Sequence, residues 1–406
     1  MRGLDPMTTP LVVMSEAANT GGGLVMAASP TAKRDFHVRN VFRQRNLPRD
    51  GRIIVVPPRM NLYINKNLAV NQIFAEYVGP KDLLPYSIDE SILNITNTWH
   101  LFSNNILDVI RQIQHEVKSK LALITTVGVG NNPLQAKLAL DIYAKHNREF
   151  VGVITNHTVE QKIWPIKNLT DVWGINQRMQ ARLNHLGIYS MYQLAHCDPF
   201  ELHAALGVIG DQLYATAWGI DRTDLHSTIL RRSRGVGNSQ VLPRDYNDIN
   251  EIELVIKEIG AQVASRLRAQ GKQAAGIYLS IGYSIGVTDA DGNTGFAHSL
   301  KLSDATAETQ AINQQLIYLF EKYWDGHATV REIGVSCTRL VDRFGEQLSI
   351  FNDSNYNPFH LEETMDIIRR RFGKTSILRA SSLQRGGTFI ARSGLVGGHN
   401  GGNSLE

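Results

Sequence analysis

Apolar positions along this chain recur with two different periods, and the change from one to the other marks out its segments. In the C-terminal half, Ile277, Leu279, Ile281 and Tyr283 alternate with small and polar residues, the period-two pattern of a strand with one buried face. Upstream, Ile252, Leu254, Val255, Ile259, Val263 and Leu267 fall on one face of a helix. A strand through Gln240, Val241, Leu242 and Pro243 leads into that helix by way of an Asn/Asp turn. Further on, 296–302 reads as a strand, 307–323 as a helix and 330–339 as a last strand. From about Gly235 the order is therefore β-α-β-β-α-β, which predicts a split βαβ unit.

The N-terminal half is patterned in shorter pieces. Across 169–188, apolar residues keep helical spacing on both sides of Gly174, which predicts two short helices joined by a tight turn. Such a helix-hairpin-helix aims backbone N–H groups at a nucleic-acid phosphate, so Gly174, Ile175 and Asn176 are candidate contacts. Asn176 stands where a second glycine is usual, and it is expected to tolerate a positive φ there. Across 126–141 a strand, a Gly/Asn/Pro turn and a helix follow one another, with Lys137 in the first turns of the helix. A cation there, beside a helix N-terminus, favours a phosphate chain.

Tyr86-Ser87-Ile88-Asp89-Glu90-Ser91-Ile92-Leu93 sets two adjacent carboxylates inside an apolar, strand-like run. In a strand Asp89 and Glu90 point to opposite faces unless a turn or bulge intervenes. Burying such charge is costly without a partner, and Mg²⁺ is one partner that prefers carboxylate, phosphate and water oxygens.

The chain's 406 residues, 43% of them apolar, are enough for three or four small domains of an α+β multidomain protein. A net charge of +4 is compatible with nucleic acid. Cys197 and Cys337 are too few and too far apart for a zinc cluster or a disulfide framework. No run approaches the roughly 18 apolar residues of a membrane span, and no signal pattern opens the chain. A cytoplasmic protein is expected.

Taken in this order, the motifs resemble the Y-family DNA polymerases, in their UmuC-like branch (the ImpB/MucB/SamB family). The stretch from Tyr86 resembles the palm motif, in which the Asp and Glu help bind the catalytic metals. The resemblance makes Asp89 and Glu90 the catalytic pair, with two Mg²⁺ ions in a complete site. It makes Lys137 a contact to the triphosphate of the incoming nucleotide. Residues 21–34 resemble the small fingers, where either Lys33 or Arg34 is the basic triphosphate contact. The implied architecture is a right hand: fingers at 1–60, palm with an antiparallel or mixed sheet and helices at 61–163, and a helix-hairpin-helix thumb at 164–230. A linker at 231–238, a little finger at 239–345, a clamp-binding peptide at 346–352 and a basic, glycine-rich tail at 353–406 follow. Arg231, Arg232 and Arg234 are expected to lie along the duplex backbone and add to its salt-dependent attraction.

The family opens with D-x-x-x-F-[FY]-A, whose Asp supplies a further metal carboxylate and one of whose aromatics excludes ribonucleotides. No such segment occurs in this sequence, which predicts that Met1 is an internal methionine of a longer reading frame or that the gene is truncated. Gln347, Leu348, Ile350 and Phe351 resemble the bacterial sliding-clamp peptide, an extended segment with apolar anchors. Beyond Asn352, Arg369-Arg370-Arg371, Lys374, Arg379, Arg385 and Arg392 predict either a short basic helix or a solvated, disordered tail, and 394–402 a flexible glycine-rich end. The function implied is translesion DNA synthesis by a monomer acting on template-primer DNA and dNTPs, with the sliding clamp as partner and no membrane. The rival is a non-catalytic homologue that binds only DNA and the clamp. A helix-hairpin-helix glycosylase or nuclease leaves the palm motif unexplained.

Overall fold

The computed structural model describes residues 4–16, 23–227, 235–343 and 358–401. The chain divides into two compact units, one made of 1–62 with 230–406 and the other of 63–229. In the first, β1 (Leu11–Ser15) pairs antiparallel with β2 (Leu24–Ala28) and parallel with β3 (Ile54–Val56), in the order β2-β1-β3. Helix α1 (Pro30–Phe36) follows β2, with Pro30 in its first turn and the Ser29 hydroxyl accepting from the Ala32 N–H. Val12, Val25, Ala32 and Val38 form the core beneath it.

The second unit has two cores. Ile73, Tyr77, Val109, Ile113 and Val117 join α2 (Met60–Phe74) to α3 (Ile106–Leu121) and to a hairpin of β4 (Leu83–Pro85) and β5 (Ser91–Leu93). Between these strands lies the acidic doublet. The second core joins a parallel pair, β6 (Val127–Val129) with β7 (Val151–Val153), to the helices around it. Helix α4 (Pro133–Leu138) continues into a π-helical turn over Ala139–Tyr143. These turns lie so close to both strands that a Cβ on Gly128 would come within 1.9 Å of the Ala136 carbonyl oxygen, and one on Gly152 within 2.2 Å of that of Ala139. After a single helical turn at Val159–Lys162, the unit continues with α5 (Gln177–His185), α6 (Met191–Ala195), α7 (Pro199–Leu206) and α8 (Val208–Ala217). Leu169, Leu183, Met191 and Leu194 are fully buried among them.

The C-terminal part of the first unit carries the β-α-β-β-α-β order read from the sequence. Strands β8 (Gly235–Tyr246), β9 (Lys272–Tyr283), β10 (Gly295–Thr306) and β11 (Val330–Asp342) form an antiparallel sheet in the order β10-β9-β11-β8. Helices α9 (Ile249–Ala269) and α10 (Thr309–Tyr323) cover one face. Ile277, Leu279, Ile281 and Tyr283 are buried there, opposite Cys337, Val335, Ile333 and Val330 of β11. The alternate face is rich in small residues: Ser280, Gly334 and Ser239 stand in register across three strands, Gly276, Thr338 and Gly235 likewise, and Tyr278 lies between them opposite Ser336 and Gly237. Residues 235–238, expected in the linker, already pair in β8.

The described part of the tail is folded, not disordered. It forms α11 (Pro358–Phe372), α12 (Phe389–Ser393) and a two-stranded hairpin of β12 (Leu395–Val396) with β13 (His399–Asn400), which takes in the described part of the glycine-rich segment. Burial of charge holds it: Arg268 of α9 donates to Glu362 and Asp366 of α11, both at 2.7 Å, and the Thr309 hydroxyl donates to Glu362 at 2.7 Å. The N–H groups of Thr388 and Phe389 donate to Glu258 at 2.9 Å. Sequence periodicity cannot show such cross-links, because their partners are about a hundred residues apart. Among the described residues no helix is long and apolar enough to cross a membrane.

Candidate active site

Asp89 and Glu90 occupy the turn between β4 and β5, and not the body of a strand as the pattern suggested. Both the Tyr86 and Ser87 N–H groups donate to the Glu90 carbonyl, at 2.9 and 3.0 Å, and this closes the turn. The two carboxylates therefore need not alternate across a sheet. Asp89 is exposed and accepts a hydrogen bond from the Ser87 hydroxyl at 2.8 Å. It avoids the burial penalty expected of it, and it forms no ion pair among the described residues.

Glu90 is half-buried and meets Lys137. The ammonium lies 2.6 and 2.8 Å from its two carboxylate oxygens and 3.2 Å from Asp141 Oδ2. Burial works against the ammonium, but Glu90 and Asp141 outweigh it, so the Lys137 pKa lies above the ordinary lysine value. The turn and the lysine helix, 47 residues apart in sequence, thus form one charged cluster. Asp141 was not assigned a role from the sequence; its signal was the four-residue spacing to Lys137 and Lys145, with which it also pairs at 2.6 Å. Gly128 serves the close approach of α4 to the sheet, and so does Gly152, which the sequence reading passed over.

At the hairpin, Val172 and Ile175 are buried and anchor a turn closed by the Ile175 N–H donating to the Val172 carbonyl at 3.0 Å. Gly174 sits at the third position with φ of 93°, which only glycine adopts readily, and its front is open. Two expectations change here. The Ile175 N–H is already used and cannot meet a phosphate. Asn176 does not take a positive φ: at φ −91° and ψ 173° it is the N-cap of α5, its side chain accepting from the Met179 N–H. The N–H groups of Gly174 and Asn176 remain without a partner among the described residues.

Lys33 and Arg34 belong to the other unit, on α1. Both are exposed; Arg34 pairs with Asp35 at 2.6 Å, while Lys33 has no ion-pair partner among the described residues. Arg231, Arg232 and Arg234, and the peptide residues Gln347, Leu348, Ile350 and Phe351, lie outside the described residues.

No group of three or more His, Cys, Asp or Glu side chains able to hold a metal occurs among the described residues. Asp89 and Glu90 form a smaller donor set. Asp89 accepts from Ser87 and both Glu90 oxygens face the Lys137 ammonium, so a cation bound there would compete with that lysine.

The impB/mucB/samB family model matches residues 1–141, and the model of that family's C-terminal domain matches 233–350. UvrX of Bacillus subtilis (strain 168), named for UV-damage repair, is 35% identical over 397 residues, covering 98% of this chain and 92% of that protein. DNA polymerase IV 2 of the same organism is 32% identical over 390 residues, 96% of this chain and 92% of its own length. Among solved structures, the Y-family DNA polymerase chimera Dbh-Dpo4(243-245)-Dbh aligns over 83% of this chain and 93% of that chain, with a TM-score of 0.63 at 20% identity, a likeness of fold. The chain belongs to the impB/mucB/samB family, the UmuC-like branch of the Y-family DNA polymerases.

Proposed function

We propose that this protein is a translesion DNA polymerase, adding nucleotides to a primer opposite damaged template bases. The observation that carries the reading is the junction of Glu90 with Lys137: one carboxylate of the acidic doublet meets the lysine read as the triphosphate contact. Relatives named for UV-damage repair and for DNA polymerase IV, matched over nearly the whole chain, support the same reaction.

Asp89 and Glu90 hold Mg²⁺, which, when bound, neutralises phosphate charge and favours an in-line displacement. Two carboxylates alone would fall short of a two-ion clamp, which would need a further oxygen ligand. Lys137, kept charged by Glu90 and Asp141, is the cation that an incoming triphosphate competes for. Either Lys33 or Arg34 is the basic triphosphate contact of the fingers. Template-primer DNA is held in three places: at the Gly174 and Asn176 amides of the thumb, along Arg231, Arg232 and Arg234, and on the small-residue face of the little-finger sheet. Gly, Ser and Thr on that face let a sugar-phosphate backbone approach closely. Gln347, Leu348, Ile350 and Phe351 bind the sliding clamp. The domain boundaries follow the expected right hand, except that 235–238 join the little finger, and the polymerase acts as a monomer.

A second reading has one observation in its favour, the lack of a three-carboxylate group among the described residues: a homologue that binds DNA and the clamp without catalysis. Primer extension with Mg²⁺ on undamaged and UV-damaged templates separates the two. Extension is expected, and Asp89→Ala should slow incorporation at least about a hundredfold while DNA binding persists. No extension by the wild type, with DNA still bound, would establish the second reading.

A further inference from the structure

Two exposed aromatic side chains of the second unit are used by nothing described so far. Tyr86 opens the acidic turn, its N–H donating to the Glu90 carbonyl, and Trp173 stands at the tip of the turn that Val172 and Ile175 close. Their rings meet edge to face, with centroids 5.9 Å apart and planes at 79°. The contact covers little of either: Tyr86 stays 44% exposed and Trp173 42%. The Tyr86 hydroxyl and the Trp173 indole N–H form no hydrogen bond among the described residues.

The contrast with the Trp164 cluster of this unit is informative. Trp164 and Trp218 pack edge to face at 5.1 Å, and their indole N–H groups donate to the Ala217 and Ala195 carbonyls at 3.1 and 3.0 Å. That pair is anchored at its polar handles and holds helices together. The Tyr86–Trp173 pair is anchored at neither handle, although the loop that carries Trp173 buries its neighbours Val172 and Ile175 almost fully. An indole left outside where smaller apolar side chains go in forfeits a large burial gain. Its position explains the cost: the pair bridges the turn that carries Asp89 and Glu90 and the turn that offers the Gly174 amide.

We infer that Tyr86 and Trp173 form a stacking ledge for the DNA strand whose 3′ end enters the acidic turn, seating one of its sugars or bases between the hairpin and the carboxylates. Aromatic faces accept any base, so such a ledge holds the strand without reading its sequence. The two are positioning residues: they touch the strand, not the reacting atoms. The inference rests on the polymerase reading.

Binding of a primer–template to the full chain is followed by anisotropy over a range of salt, beside tryptophan fluorescence and steady-state extension. Trp173→Ala and Tyr86→Ala should each weaken DNA binding and raise KM for primer–template about tenfold. They should leave kcat near the wild-type value and the salt slope unchanged, since no phosphate contact is lost. Trp173→Phe and Tyr86→Phe should restore affinity. DNA should quench the wild-type fluorescence more than that of Trp173→Phe, a signature that a merely structural role would not give. Wild-type affinity in both alanine variants, or equal quenching in wild type and Trp173→Phe, would overturn the ledge while leaving the polymerase reading intact. A wild type that binds no primer–template would overturn both.

Discussion

Each unit of this protein holds a cluster of opposite charges, and the two clusters are built to different ends. Around Arg268, the side chains of Arg268, Glu362 and Asp366 are 6%, 7% and 9% exposed. Thr309 and Arg379 also donate to Glu362, so that carboxylate is saturated with donors. Around Lys137, the side chains of Lys137, Glu90 and Asp141 are 16%, 24% and 26% exposed, and Asp89 beside them is open to water. The first cluster has no water to fall back on, so its value lies in fastening α11 to α9. The second keeps access to solvent, so its partners can be exchanged for a cation or a phosphate. The same ion-pair chemistry is a fastener in one place and a replaceable contact in the other, and burial decides which.

The largest effect should come from Arg268→Ala, which strands two buried carboxylates and should destabilise the first unit by about 3–5 kcal/mol in denaturant unfolding. Replacing Arg268, Glu362 and Asp366 together by apolar residues of similar size should recover most of that loss. Lys137→Met should cost only about 1 kcal/mol, because Glu90 can be rehydrated, yet should slow nucleotide incorporation about tenfold or more. Equal stability losses in Arg268→Ala and Lys137→Met would erase the distinction drawn here.

The smallest effect is one of pH. The Lys137 pKa is raised on folding, so its stabilising contribution is fully present below the ordinary lysine value and is lost as pH rises through the raised one. The melting-temperature difference between wild type and Lys137→Met should therefore shrink as pH rises past the ordinary lysine value. A difference that grows with pH would mean that burial, and not Glu90, governs this lysine.

Much of this was legible in one dimension. Alternation at Ile277, Leu279, Ile281 and Tyr283 and the helical face from Ile252 to Leu267 located sheet and helices, because a side chain's face follows directly from its backbone period. The tight turn at Gly174 was legible because a turn of this type admits little else, but the helix expected before it is only a three-residue 3-10 turn, Leu169–Asp171. Asn176 was misread: its residue type suits both a left-handed turn position and a helix N-cap, and only the turn already closed by Ile175 leaves it the cap. The tail was legible only in part: the basic helix through Arg369–Arg371, one of its two expected forms, is there, but what fastens it was hidden. Its arginines and glycines look solvated in isolation, and the carboxylates Glu362 and Asp366 find their partner in Arg268, far back along the chain.

The amino-acid sequence by itself determined the family, the order of elements and the identity of the acidic doublet and the lysine, since each depends on residue types at short fixed spacings. Tertiary structure alone decided that Asp89 faces water while Glu90 takes Lys137, that Tyr86 meets Trp173, and that the tail is held by buried charge. These are contacts between segments distant in the chain. Their strength is set by how much water folding removes, and no local pattern encodes that quantity.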